Sequence, residues 1–504
     1  MSPLRPGHFV LALAFLSACG SERILEPPPP FTVGPRDSFV QEGMLLQIKS
    51  FLSPGAPVPA FSAEWSSSNA AVAAVDQMGL VTALSPGKAI IRAHWGTGVD
   101  SAAVTVKARD GSSLVAFGWT TCGATATAGE VCWGENRYGQ TGTRLASEIV
   151  YTPTAVPAAV TWRSIAMGWN HACGVDTLFD IYCWGLNSSG QLGMGTFSDP
   201  VLPSRKVDSQ KKFAAVAAGG AEWRPNIEVE VFAAQLTCAL TREGEAYCWG
   251  YSGDPQRTAD VPSNTPKVAA TGIQFATISV GNGYVCGVAR DRRGYCWGNN
   301  DFGQLGRAIS PFDRSVQEID GNLRFESISA GGLHACGVTV AGDAYCWGAN
   351  ESLQLGAPTT TTCVFRGLPR KCSPQPVPVT GGFKFTSVAA SGWGAISAIT
   401  AITPTYREHS CGLTVEQNIV CWGNNDGGRV KRRVLPSDPF DAPPIRLPFG
   451  EKFRTVAVGE SHTCGVLVDG QVWCWGDGAR GQMGIPQGVF RADFGAVSGT
   501  YVFK

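Results

Sequence analysis

Fourteen cysteines stand in seven pairs, and the two members of every pair are ten residues apart. Cys122 is followed by Cys132, Cys173 by Cys183, Cys238 by Cys248 and Cys286 by Cys296. Cys336 is followed by Cys346, Cys411 by Cys421 and Cys464 by Cys474. An eighth pair, Cys363 and Cys372, is nine apart, and Cys19 stands alone. No Cys-x-x-Cys occurs, so zinc-ribbon and thioredoxin-like readings have nothing to rest on. In an oxidising compartment, an even number of cysteines at one fixed spacing reads as disulfides. A ten-residue spacing also predicts what each bridge closes.

Between Cys336 and Cys346 the midpoint is Ala341. A three-residue loop at 340–342 puts Gly342 third, where a type I turn with a bulge wants a left-handed residue. Cys336 and Cys346 then face each other on antiparallel strands, and one step inward Gly337 faces Tyr345. Gly287 faces Tyr295, and Gly465 faces Trp473, in the same way. A large ring over a strand glycine restores packing that the glycine lacks, and the opposing aromatic is the expected source. Gly244 and Gly470 repeat the loop glycine; other repeats replace it, leaving their turn type open.

Each hairpin sits in a longer repeat. The fifth runs from Phe325 through His334-Ala-Cys336, Tyr345-Cys-Trp347-Gly348-Ala-Asn350 and Gln354-Leu355-Gly356. The second carries His171-Ala-Cys173, Tyr182-Cys-Trp184-Gly185-Leu-Asn187 and Gly190-Gln-Leu-Gly193. Repeats of about 40–50 residues with short strands and a Trp-Gly signature imply a radial or stacked β array. Seven copies close naturally as a seven-bladed ring, so the expected class is all-β.

These motifs resemble the regulator of chromosome condensation repeat family, in the Cys-paired form of its exported bacterial members. The resemblance spans residues 112–504 and implies a seven-bladed β-propeller with four antiparallel strands per blade. Repeat three (Tyr251-Ser-Gly253-Asp-Pro255) and repeat six (Gly427-Gly-Arg429-Val-Lys431) depart from Gly-Gln-Leu-Gly. Residues 112–122 lack the Phe-containing strand start, and Phe494-Gly-Ala-Val497 is expected to supply one, closing the ring with the chain's end. The founder's nucleotide exchange and chromatin binding are not carried over, because 40 basic and 40 acidic residues leave no net charge for nucleic acid.

Upstream, Arg5, an apolar run from Phe9 to Leu16, and Leu16-Ser17-Ala18-Cys19 read as a lipoprotein signal over residues 1–18. Cys19 is the expected acylated residue, and an ordinary signal peptide is the plainer alternative. The run is too short to span a bilayer. Residues 19–31, with Pro27 to Pro30, form a Pro-rich tether. Residues 32–107 contain no cysteine; Trp65-Ser-Ser-Ser-Asn69 and Gly79-Leu-Val81 resemble a group 2 bacterial Ig-like domain. That resemblance implies a small antiparallel sandwich acting as a spacer. Localisation is expected at the cell envelope, with the membrane met by the lipid anchor only.

The search for chemistry points away from an enzyme. Gly476-Asp-Gly478-Ala-Arg-Gly481 is the repeat's own turn, with no helix following to make a dinucleotide site. His171, His334, His409 and His462 recur once per blade, so they point to structural hydrogen bonds rather than one metal centre. Expected cofactors and metals are none. What differs between blades is more informative. Repeat three inserts a segment with Trp223, Arg224, Glu228, Glu230 and Phe232, and repeat six inserts one with Trp393 and Tyr406, at equivalent places. Equivalent places share a face, and per-repeat insertions build binding faces; neutral loop growth is the alternative. The segment from Cys363 to Cys372 reads as a stapled basic loop, and Arg429 to Arg433 as a solvated turn. The expected function is a monomeric binding scaffold for a protein or glycan at the envelope, the second reading being an inhibitor of an extracytoplasmic enzyme.

Overall fold

The computed structural model describes residues 31–503 apart from 53–55, 58–62, 108–113, 128, 144, 146, 158–159, 222–233, 252–261, 311, 366–367, 392–407, 431–440, 449 and 487–494. The described chain is β-strand throughout, save one 3-10 turn at Asp426–Gly428. No helix among the described residues is long and apolar enough to cross a membrane.

From Leu114 onward the strands form seven antiparallel sheets in chain order, one for each ten-residue cysteine pair. Their innermost strands are neighbours in sequence order, and the seventh (Phe453–Val458) packs on the first (Leu114–Phe117), so the sheets make a closed ring. An axial channel of about 230 Å³ runs between these strands, lined by small side chains such as Ala116, Ala166, Ala217, Ser279 and Ala389. Fourth strands lie outermost, and the fifth sheet gains an extra outer strand, Thr362–Phe365.

The hairpins have the expected register. Gly337 pairs with Tyr345, Gly287 with Tyr295 and Gly465 with Trp473. All eight cysteine pairs are disulfides, and seven of them join directly opposed residues of one hairpin. In the first four blades Cys122 is bridged to Cys132, Cys173 to Cys183, Cys238 to Cys248 and Cys286 to Cys296. In the last three Cys336 is bridged to Cys346, Cys411 to Cys421 and Cys464 to Cys474. The eighth bridge, Cys363 to Cys372, ties the extra strand of blade five to its neighbour.

Gly342 has φ +80°, and Phe179, Arg292 and Gln417 hold the same place at φ 65°, 68° and 65°. The turn type left open is therefore the same in these repeats, with a non-glycine residue held left-handed by the bridged hairpin around it.

One packing detail differs from expectation. A side chain at Gly337 would collide with the ring of Phe325, not that of Tyr345; at Gly174, Gly287, Gly412 and Gly465 the colliding rings are Trp162, Phe275, Phe385 and Phe453. The glycine is roofed by the opening residue of the innermost strand. The opposing aromatic meets that ring edge-on instead, as in Phe275–Tyr295 at 6.1 Å between centroids.

Because each bridge closes only a local hairpin, its loss should be felt in one blade. Closing a loop of about eleven residues contributes ~2.7 kcal/mol in the chain-entropy model. Cys336→Ala with Cys346→Ala is expected to fold and to lower the unfolding midpoint modestly. Peptide mapping without reductant should still find the other six ten-residue pairs joined; any bridge between blades would overturn the assignment.

Residues 31–107 make a small β-sandwich of three sheets. It is not wholly antiparallel as expected, since Asp37–Gln41 runs parallel to Gly98–Lys107. It is also joined to the propeller by direct contacts. Phe39 N–H donates to Arg290 O (2.9 Å) and Leu45 N–H to Arg242 O (2.7 Å). Arg242 Nε donates to Gly43 O (3.0 Å), Arg290 Nη2 to Leu45 O (2.6 Å), and the Arg292 guanidinium lies 4.3 Å over the Phe39 ring. The Arg290 guanidinium is lowered to about 10 by burial. The sandwich is docked on the hairpin-turn ends of blades three and four.

Candidate binding face

The face opposite the docked sandwich is built from two loops per blade: the turn between first and second strands, and the Trp-Gly-x-Asn loop between third and fourth. A side-chain network joins both loops to the next blade. Trp184 Nε1 donates to Gln140 O (3.0 Å), Trp249 to Gln191 O (2.9 Å), Trp347 to Gln304 O (2.9 Å) and Trp422 to Gln354 O (2.9 Å). Trp133 donates to Gln482 O (3.0 Å), so the last blade latches to the first. These tryptophans are buried latches, as the repeat pattern implied.

The histidines complete the latch. His171 Nε2 contacts Thr237 Oγ1 at 2.8 Å, His409 contacts Thr463 at 2.8 Å, and His462 contacts Thr121 at 2.7 Å. Thr237 and Thr463 in turn donate to Gln191 O (2.8 Å) and Arg429 O (3.1 Å), so their oxygens accept from the imidazole and its proton sits on Nε2. Burial lowers His171 to about 4, offset in part by the Gln235 side chain. Burial and then the Arg429 guanidinium lower His462 to about 3, and the same causes take His409 well below its ordinary value. Each histidine reaches a hydroxyl on the next blade, so the four stand apart around the ring.

His334 differs. Its Nε2 contacts Ser410 (2.8 Å), while Nδ1 meets Glu408 Oε2 at 3.0 Å, both residues fully buried. Glu408 also accepts Leu333 N–H (2.7 Å) and Gln354 Nε2 (3.2 Å). This carboxylate was not singled out in the sequence, where nothing distinguishes it from a surface glutamate. Arg429 is a correction: it is 2% exposed, not in a solvated turn. Its Nη1 donates to Glu460 O (3.0 Å), and its own carbonyl accepts Trp475 Nε1 (2.9 Å). Val430 N–H donates to Asn425 Oδ1 (3.0 Å), as Leu355 N–H does to Asn350 (3.1 Å). Gly428-Arg429-Val430 thus performs the Gly-Gln-Leu role with a cation in place of the amide.

Near the axis this face is drawn together by backbone bonds between blades: Asn282 N–H to Gly331 O (3.3 Å), Gly332 to Ser391 O (2.8 Å) and Glu460 to Gly118 O (2.8 Å). A Cβ on Gly331 would stand 2.5 Å from Ser391 O, so only glycine permits that approach.

The candidate residues Trp223, Arg224, Glu228, Glu230, Phe232, Trp393 and Tyr406 lie outside the described residues, as do Cys19 and Arg366. Their stems do not. Ala221 N–H donates to Ala234 O (2.9 Å) and Gln235 Nε2 to Ala221 O (2.7 Å) at the base of the first insertion. Ser391 N–H donates to His409 O (3.0 Å), and His409 N–H to Ser391 Oγ (3.0 Å), at the base of the second. Both insertions therefore leave between first and second strands, on the face away from the sandwich.

The ends of the ring hold a second correction. Gly495–Ala496 pairs with Trp473 and Cys474, as the outer strand of the last blade rather than the opening of the first. The missing first-blade ring is Phe503. It meets Trp133 at 6.1 Å, as Phe325 meets Trp347 at 5.9 Å, and its N–H donates to Gly470 O (2.9 Å), as Phe385 N–H does to Gly342 O (2.8 Å).

A closed ring of antiparallel sheets, six of four strands and one of five, latched blade to blade, defines a β-propeller. Matches to known families fall on parts of the chain. Residues 162–191, 325–354 and 453–482, and in a second description 180–221, 293–338 and 341–396, match the regulator of chromosome condensation (RCC1) repeat; residues 30–106 match the bacterial Ig-like domain (group 2). The chain carries regulator of chromosome condensation repeats behind a group 2 Ig-like domain. It is 28% identical over 405 residues to the ultraviolet-B receptor UVR8 of Arabidopsis thaliana, covering 77% of this chain and 70% of that one. It is 22% identical over 335 residues to the mitochondrial RCC1 domain-containing protein RUG3 of the same plant, covering 64% of this chain and 56% of that relative's length. Prp20p of Saccharomyces cerevisiae has a similar fold, with a TM-score of 0.59 at 20% identity, covering 73% of this chain and 86% of that one.

Proposed function

We propose that this chain is an exported, lipid-anchored binding protein that presents the loop face of its propeller to a protein or glycan partner at the cell envelope. The observation that carries the reading is the division of labour between the faces. The Ig-like domain occupies hairpin-turn ends, while the stems of both long insertions emerge opposite it. Insertions confined to one face of a repeat array commonly build its binding surface. Among similar folds, yeast Prp20p binds Gsp1p and histones and is bound by Kap60, which supports protein binding as the general use of such a ring. Export and anchoring rest on the sequence around Cys19.

The test replaces 222–233 and 392–407 by short Gly-Ser links, each stem being retained. Capture of envelope partners is expected to be lost while the unfolding midpoint holds. Capture that survives both trims would leave the insertions without a binding role. In the same cells, labelled palmitate should enter the wild type and not Cys19→Ser; incorporation into both would remove the anchor.

A further inference from the structure

The sandwich has two ends, and the strand Gly98–Lys107 runs from one to the other. At the first end Phe31 stacks on Trp95 at 6.3 Å between centroids, beside the turn that leads into Gly98. Val33 N–H donates to Asp100 Oδ2 (2.9 Å) on the same stretch of strand. At the second end Lys107 Nζ donates to Glu326 O of blade five (3.5 Å). Phe39, which pairs with Thr105, bonds to Arg290, and Gly43 and Leu45 bond to Arg242. The docking contacts thus gather where Gly98–Lys107 finishes, and the N-terminal chain enters where it begins.

Lengths decide what that chain can reach. At about 3.3 Å per residue, Gly98–Lys107 separates the two ends of the sandwich by roughly 30 Å. Crossing the ring from hairpin turn to loop face takes one more strand, such as His334–Thr339, or roughly 17 Å before the loops are counted. Cys19 lies twelve residues before Phe31. Drawn out fully, that many residues reach about 40 Å, and as polyproline II about 37 Å. Sandwich and ring together exceed this reach, and a tether bound for the loop face would also have to round the rim.

We propose that the sandwich is an end-on stalk that turns the loop face away from the surface to which Cys19 is fixed. The partner is then one that arrives from the far side, free in solution or carried on a facing surface. A component lying flat in the anchoring membrane is out of reach of this face. The contacts of Arg242, Arg290 and Arg292 set the angle between stalk and ring. The inference rests on anchoring at Cys19; the palmitate test decides the anchor, while the experiment below supplies its own anchor and decides the orientation.

The chain from Gly20 on is bound to phosphatidylcholine vesicles carrying a nickel-chelating lipid and an acceptor dye on the headgroups. Residues 21–26 are replaced by histidines, so the tether keeps its length. A donor dye is placed on one added thiol: Thr97→Cys at the tether end of the sandwich, Val415→Cys on the hairpin-turn face, or Ala479→Cys on the loop face. All three positions are exposed, and the native cysteines that remain are bridged, so the added thiol alone takes the dye. Unfolding midpoints equal to that of the unlabelled chain check that each form is folded. Energy transfer to the bilayer is expected to be strong from Thr97, weaker from Val415 and lost from Ala479. Transfer from Ala479 as strong as that from Thr97 would bring the loop face or the rim down to the bilayer and overturn the proposal.

Discussion

Lowering the pH from 7 to 5 is expected to destabilise the propeller steeply, because three of its blade-to-blade latches hold an imidazole so deeply buried that a charge on it is strongly disfavoured. His171, His409 and His462 are fully buried, and their values in the fold lie at about 4, well below the ordinary range, and at about 3. In the unfolded chain each returns to about 6.5. Above that value both states are neutral and these groups do not affect stability. Between about 6.5 and 4 the unfolded chain takes up protons that the fold refuses, so stability falls as pH falls. Three such groups give a limiting slope of about 4 kcal/mol per pH unit, and His171 and His462 alone give ~2 kcal/mol each at pH 5. That sum is comparable with the 5–15 kcal/mol usual for a whole domain. Urea midpoints measured from pH 7.5 to 5 check it. His171→Gln, His409→Gln and His462→Gln together keep a donor for each hydroxyl without a titration, and should flatten the curve. A flat profile in the wild type, or an unchanged slope in the triple variant, contradicts the latch.

Phe503→Ala is expected to cost about 3–5 kcal/mol, the usual range for truncating a buried Phe. This residue, 3% exposed, is the roof of the first blade and packs with Leu114, Val131 and Trp133. Its backbone ties the chain's end to Gly470 of the last blade and, as an isolated bridge, to Thr125 of the first. The loss should therefore appear locally as well as globally. Hydrogen exchange should quicken in Leu114–Phe117 and Thr120–Ala124 while the sheet of Phe275–Val280 keeps its protection. A midpoint change below about 1 kcal/mol, or uniform exchange, would show that Phe503 does not close the ring.

Much of this was legible in the residues. A ten-residue cysteine spacing, a third-position glycine and a Trp-Gly signature are local signals, since hairpin geometry depends on residues within one turn of each other. Their sevenfold recurrence carried the ring. The insertions were visible as differences against that repetition, and the placement of their stems follows from strand order alone.

What the residues could not show is contact between elements far apart in the chain. The resemblance of Phe494-Gly-Ala-Val497 to a strand opening points to Phe494 as the filler of the first blade, and only the closed ring brings Phe503 to Trp133 instead. Arg429 reads as a surface cation until Glu460 O and the 2.9 Å bond from Trp475 to its own carbonyl are placed around it. The Ig-like segment reads as a free spacer because Arg242 and Arg290 are ordinary turn residues in sequence. Periodicity along a chain determines which way a strand faces, and so determined the blades. Which residue of another blade or domain waits on that face is decided by closure in three dimensions, where hydrogen-bond partners are shared across 200 residues and more.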